Sequence, residues 1–393
     1  MTTMMTADQR RQFEHGVLPR PTQDERARQE FVRDFKFYLA TRVSPGNRVA
    51  YESAVVPAFT AANGRPPKDR HEVRREMEKH PYYKMWSSLQ RTSQEMMWNA
   101  CQMPVARQLD ELIGVAGSTQ AKAGSLRLNP DLKMPAYHTA VDIHCQPGGY
   151  HFEAKEGDVS PGAVYDRAVY LYAMGRMGPF NDDMGASIVN WLRKEHPNFK
   201  PKRILDMGCT VGHSTLAYVE AFPEAEVYAI DVAAPCLRYA HARAESLGKR
   251  VHFSQQNAET TDFEDGFFDL IVSHILVHET SGKAIRNIMK ECNRLLTPGG
   301  MAVHAETPPY KDLDLFDAFM LDWDTRNNNE PYWGASHEIE PAALAGETGF
   351  QPENAFEAMI PSAFEAAEAE RTKVFQGGDF AGGGLWYIFG VKK

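Results

Sequence analysis

Apolar residues fall in two periods along this chain, and the period changes partway. Between Thr22 and about Arg42, Phe31, Phe35, Tyr38 and Leu39 share one face at three- and four-residue spacing. That spacing predicts a helix, ended by Pro45-Gly46. Lys68 to Lys79 is charged and helical in pattern, with a break at Pro81. From Pro81 to Val115 the positions of Met85, Leu89, Met96, Met97 and Trp98 predict a long helical stretch, with Pro104 as a kink point. The block from about 22 to 125 is therefore mostly α, and residues 1–20 read as a loose terminus.

The pattern then shifts. Tyr137-His-Thr-Ala-Val-Asp-Ile-His144 alternates as a strand does, Gln146-Pro-Gly-Gly149 makes a turn, and Tyr150-His-Phe-Glu153 follows. This predicts a β-hairpin. Gly162 to Gly175 and Asp183 to Glu195 read as helices. Apolar strand-length runs follow, separated by helical segments: Ile204–Met207, Glu226–Asp231, Val251–Ser254, Phe267–His274 and Met301–Glu306. Strands alternating with helices predict a parallel sheet. Ala355–Ile360 and Leu385–Gly390 supply two closing strands. Between them and the fifth strand, residues 307–340 form an insertion with the aromatic loop Asn327-Asn-Asn-Glu-Pro-Tyr332-Trp333, read as a lid. The expected domains are an α-rich block at 1–135, serving as substrate cover or dimer interface, a hairpin and connecting helix at 136–179, and an α/β domain at 180–393.

Charge and composition narrow the partners. Acidic residues outnumber basic ones 52 to 43, for a net charge of −9. Nucleic acid needs a basic surface, so it is not an expected partner. No apolar run of about 18 residues exists, so no membrane span is expected. The start lacks the basic-then-apolar pattern of a leader, and a cytoplasmic location is expected. Five cysteines without C-x-x-C spacing predict neither a disulfide framework nor a zinc site.

The chemistry gathers at the carboxyl ends of the predicted strands. The turn Asp206-Met-Gly208-Cys209-Thr-Val-Gly212 joins a strand to a helix, and Asp231 ends the next strand. Glycines let a ligand approach the main chain, and a terminal carboxylate accepts from ribose hydroxyls. A dinucleotide turn would carry a third Gly and cradle a pyrophosphate. Here an acidic residue precedes the first Gly, which suits a ligand with a cationic amine. The turn, the loop Gln255-Gln-Asn257-Ala258-Glu259, the strand Phe-Asp269-Leu-Ile-Val-Ser273 and the turn Pro298-Gly299-Gly300 resemble, in order and spacing, the class I S-adenosylmethionine-dependent methyltransferases. The resemblance covers about residues 200–306. It implies a Rossmann-like seven-stranded sheet with S-adenosyl-L-methionine as cofactor. It also implies contacts from Asp206, Gly208, Cys209, Gly212, Asp231, Val232, Asn257, Ala258 and Ser273, with Tyr165 reaching the cofactor carboxylate.

Two further residues stand at adjacent strand ends. His278 follows the fourth strand in Ser273-His274-Ile-Leu-Val-His278-Glu279, and Glu306 ends the fifth. A carboxylate beside imidazole orients the ring and raises its basicity. The pair resembles that of polyketide synthase C-methyltransferase domains, within the broader ubiquinone/menaquinone-type group. The expected function is O- or C-methylation of a small organic molecule with a His278–Glu306 base. The alternatives are S- or N-methylation without a base, or a catalytically silent cofactor-binding protein. His274 and His304 read as structural, Glu279 as a helix-start charge, and the His/Cys-tinted segment 138–151 as no metal site. A homodimer is the expected assembly.

Overall fold

The computed structural model describes residues 11–365 and 384–393. An eight-stranded sheet runs through the molecule in the order β1-β4-β3-β2-β5-β6-β8-β7. The strands are β1 Ser125–Arg127, β2 Arg203–Met207, β3 Glu226–Asp231, β4 His252–Gln255, β5 Phe268–His274, β6 Leu296–Glu306, β7 Ala355–Pro361 and β8 Leu385–Lys392. β1 to β6 pair parallel, and β8 runs antiparallel between β6 and β7. Seven of these are the strands expected from the sequence. The eighth, β1, comes from the segment after the long N-terminal helix and pairs with β4 from Ser125↔His252 to Arg127↔Ser254.

The sheet is buried on both faces, which is why its strands read as near-continuous apolar runs. Successive side chains of β2 go to opposite sides. Leu205 packs with Ile285, Ile288, Met289, Cys292 and Leu295 of the helix Gly282–Leu295. Ile204 packs with Ile188, Val189 and Leu192 of the helix Asp183–Glu195 and with Ala217 and Tyr218. The first of these helices carries its apolar residues three and four apart and starts at a Ser281 cap, whose Oγ accepts from the Ala284 N–H at 3.2 Å.

The N-terminal block is helical, as expected, with Gln23–Tyr38, Arg70–Met77 and the 38-residue helix Pro81–Ser118 as its main pieces. It does not stand apart. Tyr83 and Trp86 pack with Phe316, Phe319, Met320 and Trp323 of the 307–340 insertion, and buried Arg74 pairs with Asp322. The expected loose terminus is corrected over residues 11–20. Gln12 donates to Asp166 at 2.8 Å, His15 Nε2 lies 2.7 Å from the same carboxylate, and Phe13 lies against Phe180. Residues 1–10 lie outside the described ones. No helix among the described residues is long and apolar enough to cross a membrane.

The β-hairpin expected at 137–153 is also corrected. Ala136–Thr139 is a short helix, Ile143–Cys145 a 3-10 turn, and no strand forms there. The segment is pinned by contacts outside itself. Trp98 Nε1 and Gln94 Nε2 both donate to the His144 carbonyl, at 2.7 and 3.1 Å. His144 and Cys145 take φ of 54° and 59°, a left-handed geometry that no strand allows. The connecting helix lies at Ser160–Tyr172.

Candidate active site

Strand order reverses at β2, where β3 leaves to one side and β5 to the other. Ligands of open α/β sheets bind at such a point, beyond the carboxyl ends of the strands. Two connected chambers open there. One is lined by Tyr137, Tyr150, Asp231, Val232, Asn257 and Ala258. The other is lined by Met97, Trp98, His144, Tyr172, Asp206 and His213. Tyr165, Gly208, Thr210, His274 and Ile275 line both. Ile275, at the shared wall, holds φ of 59°, costly for a β-branched residue and found where the surroundings fix a functional turn.

The turn after β2 is shaped for close approach. Gly208 has φ of 73°, and a Cβ there would sit 2.7 Å from Leu276. Gly208 and Cys209 both donate their N–H to the Ile230 carbonyl, at 2.8 and 3.0 Å, which ties the turn to β3. Gly212 also holds φ of 73°. Asp231 accepts from the Thr210 and Ala233 N–H groups at 2.9 and 2.8 Å. Burial pushes its carboxyl up to about 6, although those N–H groups favour the charge. Asp206 accepts from Thr215 Oγ1 at 2.5 Å and lies 3.2 Å from His274 Nδ1. Tyr165 stacks on His213 and meets Tyr150 edge-on. Asn257 Oδ1 accepts from the Glu259 N–H at 2.9 Å.

Two sequence-predicted residues sit deeper than expected. Ser273 is fully buried with its Oγ 2.7 Å from His304 Nδ1, so it braces the sheet behind the cleft. His278 is also fully buried. Its Nδ1 lies 2.6 Å from Glu306 Oε2, and Glu306 Oε1 accepts from the Val277 N–H at 2.7 Å. Trp333 of the insertion covers the imidazole, with ring centroids 4.6 Å apart. Burial opposes protonation of His278, but Glu306 and then Glu330 and Glu279 outweigh it and raise its pKa.

Three further residues join this pair: Glu330, which sequence reasoning passed over, and His144 and Glu279, which it gave no role at the site. His144 Nε2 lies 3.0 Å from Glu279 Oε1, and its Nδ1 lies 2.8 Å from Glu330 Oε1. Glu279 also accepts from the Tyr150 hydroxyl at 3.2 Å, so its carboxylate is turned toward Tyr150 and His144. His144, His278 and Glu279 each bring a potential ligand atom within 4.8 Å of the others, the one such grouping among the described residues. The signal was present in the turn Gln146-Pro-Gly-Gly149 after His144 and in the polar run around Glu330, but the two segments lie far apart in sequence.

Residues 204–300 match the family model described as a methyltransferase domain. The demethylmenaquinone methyltransferase of Thermus thermophilus is 37% identical over 109 residues, covering 28% of this chain and 49% of that protein. The malonyl-[acyl-carrier protein] O-methyltransferase of Methylococcus capsulatus is 34% identical over 123 residues, 30% of this chain and 41% of that protein. The chain thus spans about half or less of these curated relatives. Polyketide synthase 19 of Gibberella fujikuroi is 27% identical over 150 residues, 36% of this chain and 6% of that protein. Among solved structures, a putative methyltransferase from Bacillus halodurans aligns over 52% of this chain and 98% of its own, with 18% identity and a TM-score of 0.36. Over residues 204–300 the chain is similar to a methyltransferase domain.

Proposed function

We propose that this chain, which matches a methyltransferase domain over residues 204–300, is an S-adenosylmethionine-dependent enzyme that methylates oxygen or carbon of a small organic molecule. The observation that carries the reading is one cleft at the strand-order reversal, lined together by Gly208, Asp231, Asn257 and Ala258. When bound, the cofactor supplies an electrophilic methyl group on a sulfonium. Asp231 would accept from the ribose hydroxyls, with Val232 beside it. Asn257 and Ala258 would hold the adenine edge. Asp206, Tyr165 and the turn through Gly208, Cys209 and Gly212 would receive the amino-acid end. The bare backbone of Gly208 fits this role, since a side chain there would strike Leu276.

The chain's own task is then alignment and removal of a proton. His278 takes the proton at Nε2, and Glu306 at Nδ1 stabilises the imidazolium that forms. A positioned base of this kind contributes about 10²–10⁴-fold. Because Trp333 and Glu330 cover His278, an acceptor reaches Nε2 only when both move aside. Excluding bulk water in this way suits a methyl transfer that must not be diverted to hydrolysis.

The test is direct. Calorimetry with S-adenosylhomocysteine should show one site, lost or strongly weakened in Asp231→Ala. Incubation with a methyl-labelled donor and cell extract should yield a methylated small molecule. Binding without any transfer would favour a silent cofactor-binding protein. Transfer to a thiol or amine that survives His278→Ala would favour methylation without a base.

A further inference from the structure

The insertion carries a carboxylate into the space between two imidazoles, and one of those imidazoles faces the cofactor cleft. His144 lines the chamber with Asp206, Gly208 and Thr210, whereas His278 is fully buried behind it. Glu330 lies 2.8 Å from His144 Nδ1 and 3.7 Å from His278 Nε2. Its Oε1 accepts from Asn328 Nδ2 at 2.7 Å. Its Oε2 and His278 Nε2 are both buried, and neither has a hydrogen-bond partner. A buried carboxylate oxygen and a buried ring nitrogen without partners are costly. At 3.7 Å the two atoms face each other beyond hydrogen-bond distance.

His144 has three polar contacts: Glu279 at Nε2, and at Nδ1 both Glu330, at 2.8 Å, and the Asn328 amide nitrogen, at 3.3 Å. Carboxylates only accept, so Glu279 requires an N–H at Nε2; Glu330 lies nearer to Nδ1 than the Asn328 amide, which it already accepts from, and favours a second N–H there. A ring with both nitrogens protonated is an imidazolium. Burial opposes that charge, yet Glu330 and Glu279 more than offset it and hold the pKa well above the usual histidine range. The surrounding groups are Tyr150 on Glu279, Glu306 on His278, and half-buried Asp324, which desolvation and then Glu330 push up to about 8. The backbone agrees with a fixed donor. His144 is held left-handed at φ 54° with its carbonyl accepting from Trp98 and Gln94.

We propose that His144 is a further catalytic residue, a fixed cationic donor that binds an acidic oxygen of the methyl acceptor, and that Glu330 holds that oxygen's place in the ligand-free protein. The proposal rests on the methyltransferase reading above and names the acceptor class: a phenol, enol or carboxylic acid, with its apolar body against Met97, Trp98 and Tyr172. In the step, the acceptor's O–H bond breaks and its electron pair stays on oxygen. The proton goes to His278 Nε2, and the Nδ1–H of His144, released by Glu330, meets the negative oxygen. No electrons are exchanged. A basic amine acceptor would instead meet the like charge of His144.

The experiment uses the full chain labelled with ¹⁵N-histidine, saturated with S-adenosylhomocysteine, and benzoate as the probe. Both ring nitrogens of His144 should be protonated at pH 8, assigned by the signal lost in His144→Gln. Benzoate should move the His144 signals and bind about tenfold more tightly to Glu330→Gln than to the parent. Glu330→Asp, which keeps the charge but shortens its reach, should give a smaller gain and guards against a misfolded first variant. Adding His144→Gln should abolish benzoate binding, and benzylamine should not bind at all. A single proton on His144 at pH 8, or benzoate affinity indifferent to Glu330, would overturn the proposal. So would a stoichiometric divalent metal in the purified protein held by His144, His278 and Glu279. Failure of S-adenosylhomocysteine to bind would sink the cofactor reading instead, while the protonation of His144 would still be read.

Discussion

His278 Nδ1 and Glu306 Oε2 approach to 2.6 Å across two adjacent parallel strand ends, and the second Glu306 oxygen is tied to the Val277 N–H. The carboxylate therefore cannot rotate away from the ring, and the ring's open nitrogen is Nε2. A glutamate with one oxygen on backbone and one on imidazole has the geometry that the proposed base calls for.

His278→Ala is expected to lower turnover by about 10²–10⁴-fold while leaving S-adenosylhomocysteine affinity near that of the parent. It also strands Glu306 in a buried place, at a cost of about 1–3 kcal/mol in stability. Glu306→Gln should lose less turnover, because an amide still holds the ring but does not stabilise the imidazolium. Single-turnover rates and calorimetry on the same samples separate chemistry from binding. Equal losses in both quantities would count against the base.

Asp231→Ala is expected to weaken cofactor binding by about 1–3 kcal/mol, the cost of unpaired polar partners. Part of this comes from the turn itself, since Asp231 also caps the Thr210 and Ala233 N–H groups. Gly208→Val should be worse, with a branched side chain forced into φ of 73° against Leu276. Unchanged affinity in either variant would remove the turn from the site.

Acid should destabilise the fold through His304. Burial, with His274 adding a smaller effect, pushes its pKa down to about 4 from the usual 6.5. The folded state thus prefers the neutral ring. The stabilisation is fully present above about 6.5 and is lost as pH falls toward 4. A shift of this size is worth about 3 kcal/mol. Denaturant midpoints at pH 7.5 and 5.0 should fall further in the parent than in His304→Gln, which has nothing to titrate there. Parallel pH profiles would rule this group out.

A chain cut to residues 180–393 should be insoluble or inactive. It would lose Met97 and Trp98 from the cleft wall and expose Phe316, Phe319, Met320 and Trp323, which Tyr83 and Trp86 now cover. Sedimentation and cofactor titration of the truncated chain decide it, and a monodisperse fragment with full activity would refute it. Within the full chain, Arg74→Ala should cost up to about 3 kcal/mol, because buried Asp322 would keep only Arg70, at 3.8 Å, as its cation.

The sheet was legible because its strands are apolar on both faces and punctuated by glycine turns at fixed order. The His278–Glu306 pair was legible because strand ends of a parallel sheet lie side by side. The 137–153 segment was not. Its alternation of apolar and polar residues mimics a strand, whereas its geometry is set by Trp98 and Gln94 from a helix some 50 residues earlier in sequence. His144 and Glu330 were missed for the same reason. They meet between two irregular segments, and only tertiary packing brings those together.

The covering of Tyr83 and Trp86 by the insertion has a temporal consequence. Trp323 Nε1 donates to Ser87 Oγ across a separation of 236 residues. During translation at roughly 5–20 residues per second, that helix is made ~10–50 s before its partners emerge. For that interval the nascent chain displays an aromatic face with nothing to cover it. Such a face is what holding chaperones bind, so the newborn protein should depend on them until its last third leaves the ribosome.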